Sequence, residues 1–283
     1  MTDSKPNLGR YGLFGHYSAW QRLSPDQLRA IDELGYGAIW AGGSPPAELP
    51  WVEPLLEATT NLSVATGIVN IWTADPGPVS ESFHRIDAAY PGRFLLGIGV
   101  GHPEAIQQYR TPLEALREYL DKLDEYGVPR NRRVVAALGP KVLRLSADRA
   151  AGAHPYLTTP EHTRQARELL GPDAFLAPEH KVVLTEDAER ARSVGRKALD
   201  MYLNLRNYLN NWKRLGFSDE DVAKPGSDRL VDAVVAHGSA DAIAARLGEH
   251  LHAGADHVPV QILAKPDEVV AAAETLAGPL GLR

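Results

Sequence analysis

The sequence predicts an α/β fold, a single-domain (β/α)₈ TIM barrel. Its 283 residues suit one such barrel. Short apolar, β-branched runs alternate about eight times with longer stretches of helical period, as repeated βα units around a parallel sheet require. Proline and glycine also end helices directly against the next strand, giving the tight connections found at the bottom of a barrel.

The first strand covers 11–14, and Ser24-Pro25-Asp26-Gln27 forms a capping box that opens a helix to Leu34, which Gly35 ends. A short strand at 38–41 and a helix at 51–60 follow. The third strand, 62–71, is nearly continuously apolar, as a strand covered on both faces should be. A helix after Pro78 runs to about Tyr90 and stops at Pro91-Gly92, and the fourth strand, 93–99, starts at once. Next come a helix at 112–126, a strand at 134–138 and a helix that opens at Gly139-Pro140-Lys141 and ends near Ala150. A weak sixth strand, 153–157, leads to a helix capped by Thr159 that reaches Leu170, and 181–185 is the seventh strand. The stretch 187–251 is too long for one crossover and is expected to hold three helices, with Ser218 and Ser239 as N-caps and Pro225-Gly226 as a break. Its centre, about 200–240, reads as a helical insertion in one domain spanning 1–283. The eighth strand is 257–263, and a helix at 267–276 closes the chain.

A net charge of -6 without any Lys/Arg-rich run argues against a nucleic-acid partner. The polar opening residues and the lack of a long uncharged apolar stretch predict no signal peptide, no membrane span and a cytoplasmic location. Zero cysteines exclude disulfides, iron–sulfur ligation and a cysteine nucleophile, and no HExxH or carboxylate cluster points to a metal. Redox chemistry would therefore need a bound organic cofactor, and the expected partner is a small-molecule substrate.

Catalytic groups of such a barrel sit where strands end, and three strand ends are unusual. In Thr66-Gly67-Ile68-Val69-Asn70-Ile71-Trp72 a glycine interrupts a strong strand, either as a packing kink or for a closely approaching ligand. Gly97-Ile98-Gly99-Val100-Gly101-His102 alternates glycines, leaving one face bare enough for a flat ring with His102 at its edge. An imidazole titrating at about pH 6.5 suits proton transfer at neutral pH. The plainer reading is an ordinary loop histidine. In Ala136-Ala137-Leu138-Gly139-Pro140-Lys141 the amides around Leu138 and Gly139, with the helix dipole behind them, form an anion site or an ordinary βα turn.

Together these three segments, led by Tyr90-Pro91-Gly92-Arg93-Phe94-Leu95-Leu96-Gly97-Ile98-Gly99-Val100-Gly101, resemble the luciferase-like monooxygenase superfamily, and within it the deazaflavin (coenzyme F420)-dependent oxidoreductases. The stretches 152–163, 207–212 and 254–258 extend the resemblance over almost the whole chain. It implies a cofactor ring against a strand-three bulge with a non-proline cis peptide at Gly67-Ile68, and a cofactor phosphate cradled by Ala137-Leu138-Gly139-Pro140. His102 falls where a related sugar-phosphate dehydrogenase has a catalytic glutamate. That relative's Asp-His at the end of strand two is replaced here by Ala41-Gly42-Gly43-Ser44, so its histidine base is missing. The usual insertion between helix four and strand five is missing too, and residues around 205–226 are expected to roof the pocket.

The resulting expectation is an oxidoreductase that moves hydride between coenzyme F420 and an unidentified small organic substrate. His102 is the catalytic candidate. Gly67, Ile68, Asn70, Ala137, Leu138, Gly139 and Pro140 are the cofactor candidates, and Trp40, Trp72 and Tyr208 the apolar wall of the substrate pocket. Family members commonly form homodimers, which is the assembly the resemblance implies. An FMN-dependent monooxygenase and a flavin-binding protein without turnover are the alternatives.

Overall fold

The computed structural model describes residues 6–101 and 111–282. Their eleven strands form one curled sheet: β1 (Tyr11–His16), β2 (Ala38–Gly42), β3 (Ser63–Thr66), β4 (Val69–Asn70), β5 (Phe94–Gly99), β6 (Arg133–Val135), β7 (Gly152–Ala153), β8 (Phe175–Leu176), β9 (His180–Leu184), β10 (Val235–Gly238) and β11 (Val258–Ile262). Every ladder is parallel. Neighbours run β10-β9-β11-β1-β2-β3-β5-β6-β7-β8, with β4 on β5. The Asp256 and His257 amides, at the entry to β11, donate to the Leu176 carbonyl of β8 at 2.9 and 3.4 Å. These bonds link β8, at one end of the path, to β11 and close a TIM-like barrel.

Parallel neighbours need crossovers, and the intervening helices supply them. Those at Pro25–Glu33 and Pro112–Glu125 both begin with complete capping boxes, Ser24 with Gln27 and Thr111 with Glu114. Strand alternation then divides the core. In β2, Ala38 and Trp40 face the barrel interior with Phe14, Ala65, Leu95, Val134 and Phe175, whereas Ile39 and Ala41 pack in the layer between sheet and helices. Trp40 is 0% exposed, and its indole N–H donates to His257 Nε2 at 3.0 Å.

The sequence expectation differs from the structure in three places. The sixth strand is only Gly152–Ala153, because the chain leaves the ladder at His154-Pro155, where proline has no N–H to donate. β8 and β10 were not expected; two and four residues are too few to show alternation. The insertion region holds five helices rather than three: Ala188–Leu199, Arg206–Arg214, Asp219–Val222, Asp228–Val234 and Ala240–His252. Ser218 and Ser239 cap two of them, accepting from the Asp221 and Ala242 amides, and a cis Lys224–Pro225 bond lies between Asp219–Val222 and Asp228–Val234. The insertion buries its own cluster, including Leu203, Tyr208, Trp212 and Leu230. Trp212 Nε1 ties it to the barrel by donating to the Leu157 carbonyl at 3.1 Å. No described helix is long and apolar enough to cross a membrane.

Candidate active site

A cavity of about 680 Å³ opens at the C-terminal ends of the strands. Its floor and walls come from His16 in β1, Gly42 at the end of β2 with Gly43 and Ser44 after it, Gly67 and Ile68 between β3 and β4, and Val100 and Gly101 after β5. Ala136 to Gly139 after β6, His154 and Tyr156 after β7, and Gln261 in β11 complete the ring, and Met201, Tyr202, Asn207 and Tyr208 of the insertion roof it.

The third strand is split by the Gly67–Ile68 step, whose peptide is cis. Thr66 holds the break to its neighbour: its hydroxyl donates to the Gly97 carbonyl at 2.8 Å and accepts the Gly97 amide at 2.7 Å. A Cβ on Gly67 would lie 2.6 Å from Phe14, so the glycine is imposed by the close approach of that ring. Asn70 accepts the Trp72 amide at 3.0 Å and packs against Gly101, leaving it outside the cavity lining. The alternating glycines have a different cause from a bare ring-binding face. A Cβ on Gly97 would lie 1.9 Å from the Thr66 carbonyl oxygen, and one on Gly99 would lie 2.9 Å from Ala136 Cβ. Gly97 lets β5 approach β3, and Gly99 lets it approach the segment that follows β6; the cavity is reached instead by Val100 and Gly101.

Across the cavity the helix Pro140–Arg149 begins at Gly139, an N-cap without a side-chain cap. A Cβ there would meet only Arg214 Nη2, at 3.9 Å, so the turn is open. His162 Nε2 fixes the turn by hydrogen bonding the Leu138 carbonyl at 2.9 Å, and burial lowers its pKa. Open amides at a helix N-terminus with a guanidinium nearby favour an anion.

His154 donates from Nδ1 to the Ala177 carbonyl at 2.8 Å, so its Nε2 is the unprotonated nitrogen. Burial above all, with His257 and Lys181 adding to it, lowers its pKa to about 4 and keeps the ring neutral. His154 Nε2 and Asn207 Oδ1 are buried acceptors on cavity-lining residues, and neither has a partner among the described residues. Two acceptors without donors on the wall of a cavity with open amides fit an organic ligand that carries N–H or O–H groups and an anionic tail.

Deeper in the same wall, Lys181 Nζ donates to Tyr156 Oη at 2.7 Å, to Glu179 Oε1 at 2.9 Å and to Gln261 Oε1 at 2.6 Å. Lys181 is 1% and Glu179 0% exposed. Tyr156 Oη donates to Gln261 Oε1 at 2.9 Å, and Glu179 Oε2 accepts the Leu157 amide at 3.1 Å. Burial raises the Glu179 pKa and lowers that of Lys181, while their mutual attraction opposes both shifts. Tyr156 is held well above its ordinary value, first by burial and then by the Glu179 charge, so it is a phenol at neutral pH.

The family model for luciferase-like monooxygenase matches residues 15–257. The chain belongs to the luciferase-like monooxygenase family. Among curated relatives, an F420-dependent glucose-6-phosphate dehydrogenase of Microbacterium testaceum is 26% identical over 116 residues, 36% of this chain and 34% of the relative. That of Rhodococcus jostii is 32% identical over 71 residues, 25% of this chain and 21% of the relative. The matches thus span about a third or less of those relatives' length. Among solved structures, an F420-dependent secondary alcohol dehydrogenase in complex with an F420-acetone adduct superposes with a TM-score of 0.73 at 11% identity, covering 96% of this chain and 99% of that one. The FMN complex of the oxygenating constituent of 3,6-diketocamphane monooxygenase from Pseudomonas putida gives 0.68 at 16% identity, covering 96% and 98%. At these identities the superpositions establish the shared fold.

This luciferase-like barrel brings Gly67, Ile68, Ala137, Leu138, Gly139 and Tyr208 into one cavity; Asn70 and Pro140 stand just outside its lining. Two expected wall residues are elsewhere. Trp40 points into the barrel interior because of its place in the β2 alternation, and Trp72 lies in the turn that Asn70 caps. His102 lies outside the described residues. Sequence reasoning missed His16, His154, Tyr156, Lys181 and Gln261. One legible signal was a lysine inside the otherwise apolar strand Lys181-Val182-Val183-Leu184, since a buried cation needs a partner. Among the described residues no three His, Asp or Glu side chains gather as a metal-ligand set.

Proposed function

We propose that this luciferase-like protein is a coenzyme F420-dependent oxidoreductase acting on a small organic substrate. The observation that carries the reading is that the Gly67–Ile68 step and the open helix start at Gly139 line one cavity. That cavity is large enough for a flat ring, a linker and an anionic group. Gly67 and Ile68 support the ring, Ala137, Leu138 and Gly139 receive the phosphate through their backbone, and Arg214 adds positive charge beside it. When bound, the deazaflavin supplies two-electron hydride exchange at a ring carbon. His154 Nε2 offers an acceptor beside the Gly67 edge, 3.2 Å from where a Cβ would stand. Tyr202 and Tyr208 wall the substrate side and limit water there.

Equilibrium dialysis of the purified protein against F420 and FMN together, with the retained ligand identified by its absorption and fluorescence, tests this reading. Selective retention of F420 is expected. Tight retention of FMN with no deazaflavin bound would overturn it in favour of an FMN-dependent monooxygenase.

A further inference from the structure

We propose that Tyr156, backed by Lys181, is the acid/base that exchanges a proton with a substrate oxygen, so that the substrate is a carbonyl compound or its alcohol. The inference rests on the oxidoreductase reading for its electron source and on the geometry for the rest. A buried ion pair contributes little net stability compared with an apolar pair, so Lys181 and Glu179, buried directly behind the cavity-lining Tyr156 and Gln261, call for another account. All three ammonium protons are used, and one of them lands on the phenol oxygen of a cavity-lining side chain. Glu179 keeps the lysine charged, and the positive end of the pair stands 2.7 Å from Tyr156 Oη.

This arrangement lets the phenol give up its proton. Gln261 Oε1 accepts from both Lys181 and Tyr156, so when Tyr156 turns its O–H to a substrate oxygen, Gln261 keeps its bond to the lysine. The phenolate left behind keeps Lys181 beside it, and Tyr202 Oη, 3.4 Å away, provides a second donor. The titratable groups that face Tyr156 are Lys181, Glu179, Tyr202 and Tyr208. In the reducing direction the carbonyl carbon gains a hydride from the reduced deazaflavin and the C=O π pair moves onto oxygen. That oxygen takes the Tyr156 proton, and the phenolate is reprotonated from water. The substrate is reduced by two electrons as the cofactor is oxidised by two, and the reverse sequence oxidises an alcohol.

The test needs no cofactor: p-nitrophenol and its uncharged isostere p-nitrotoluene are titrated into the protein, Tyr156→Phe and the double variant Lys181→Met/Glu179→Gln. Nitrophenolate absorbance reports the ionised probe. In Tyr156→Phe the nitrophenolate affinity should fall about tenfold or more, the worth of one charge-assisted hydrogen bond. Affinity for p-nitrotoluene should stay within about twofold. The double variant, which removes the ion pair without leaving a lone buried charge, should show the same selective loss with Tyr156 in place. Equal loss for both probes, no loss, or no nitrophenolate binding by the unaltered protein would overturn the proposal. Because deazaflavin takes no part, this outcome is separable from a failed cofactor titration.

Discussion

The Trp40 indole stacks on the His154 imidazole with centroids 4.4 Å apart, and its N–H donates to His257 Nε2 at 3.0 Å. The tryptophan thus binds two buried histidines into the plug beneath the cavity. Both are neutral by burial, each lowered to about 4. His250, hydrogen-bonded to His180 Nδ1 at 2.9 Å, is lowered to about 3.

These histidines predict acid sensitivity. The unfolded chain takes up protons on them below about pH 6.5, whereas the folded protein resists protonation until about pH 4 or lower. Their contribution is therefore complete above pH 6.5 and is lost as pH falls toward 4, at a limit of roughly 3 kcal/mol for each imidazole. Urea denaturation at pH values from 7.5 down to 4 should show a steep fall in stability. A flat profile across that window would contradict the neutral buried state.

Removing Trp40 affects stability rather than the cavity wall. Trp40→Leu should cost about 3 kcal/mol through lost packing and an unpaired His257 Nε2, read as a lower urea midpoint with an unchanged slope.

The buried pair predicts an asymmetric response. Lys181→Met leaves the Glu179 carboxylate without its cation and should destabilise by about 3–5 kcal/mol, while adding Glu179→Gln should recover most of that loss. Guanidinium denaturation of the two proteins checks it, and equal stabilities would count against a charged pair.

Two glycines should differ sharply in their tolerance of alanine. At Gly97 a Cβ would lie 1.9 Å from a backbone oxygen, so Gly97→Ala should lose about 3 kcal/mol or fail to fold. At Gly139 the only neighbour is a guanidinium end at 3.9 Å, so Gly139→Ala should stay within about 0.5 kcal/mol of the parent. Thermal melts distinguish the two.

The barrel was legible because its longer elements carry strong local signals: the Ser24–Gln27 capping box, the Thr159 cap, and the apolar run through Val64 and Ala65. β8 and β10 were hidden by their brevity, and Trp40 was misplaced because a short apolar strand does not reveal which residues face inward. The glycines at 97 and 99 were visible, but their cause was not, since the atoms that require them lie on Thr66 and Ala136 of neighbouring strands. The Tyr156, Lys181 and Gln261 cluster brings together residues from three separate strands or strand ends. No local spacing encodes such a meeting, which closure of the barrel alone produces.

In the proposed function one cavity takes a deazaflavin with its anionic part at the Gly139 helix start. Fluorescence titration of F420 into the protein and into Gly139→Asp tests it most directly, because the carboxylate would sit where the phosphate binds while the fold is kept. Saturable F420 binding that Gly139→Asp weakens about tenfold or more is predicted. Unchanged affinity in the variant, or no F420 binding by the parent protein, would contradict deazaflavin binding at this helix start.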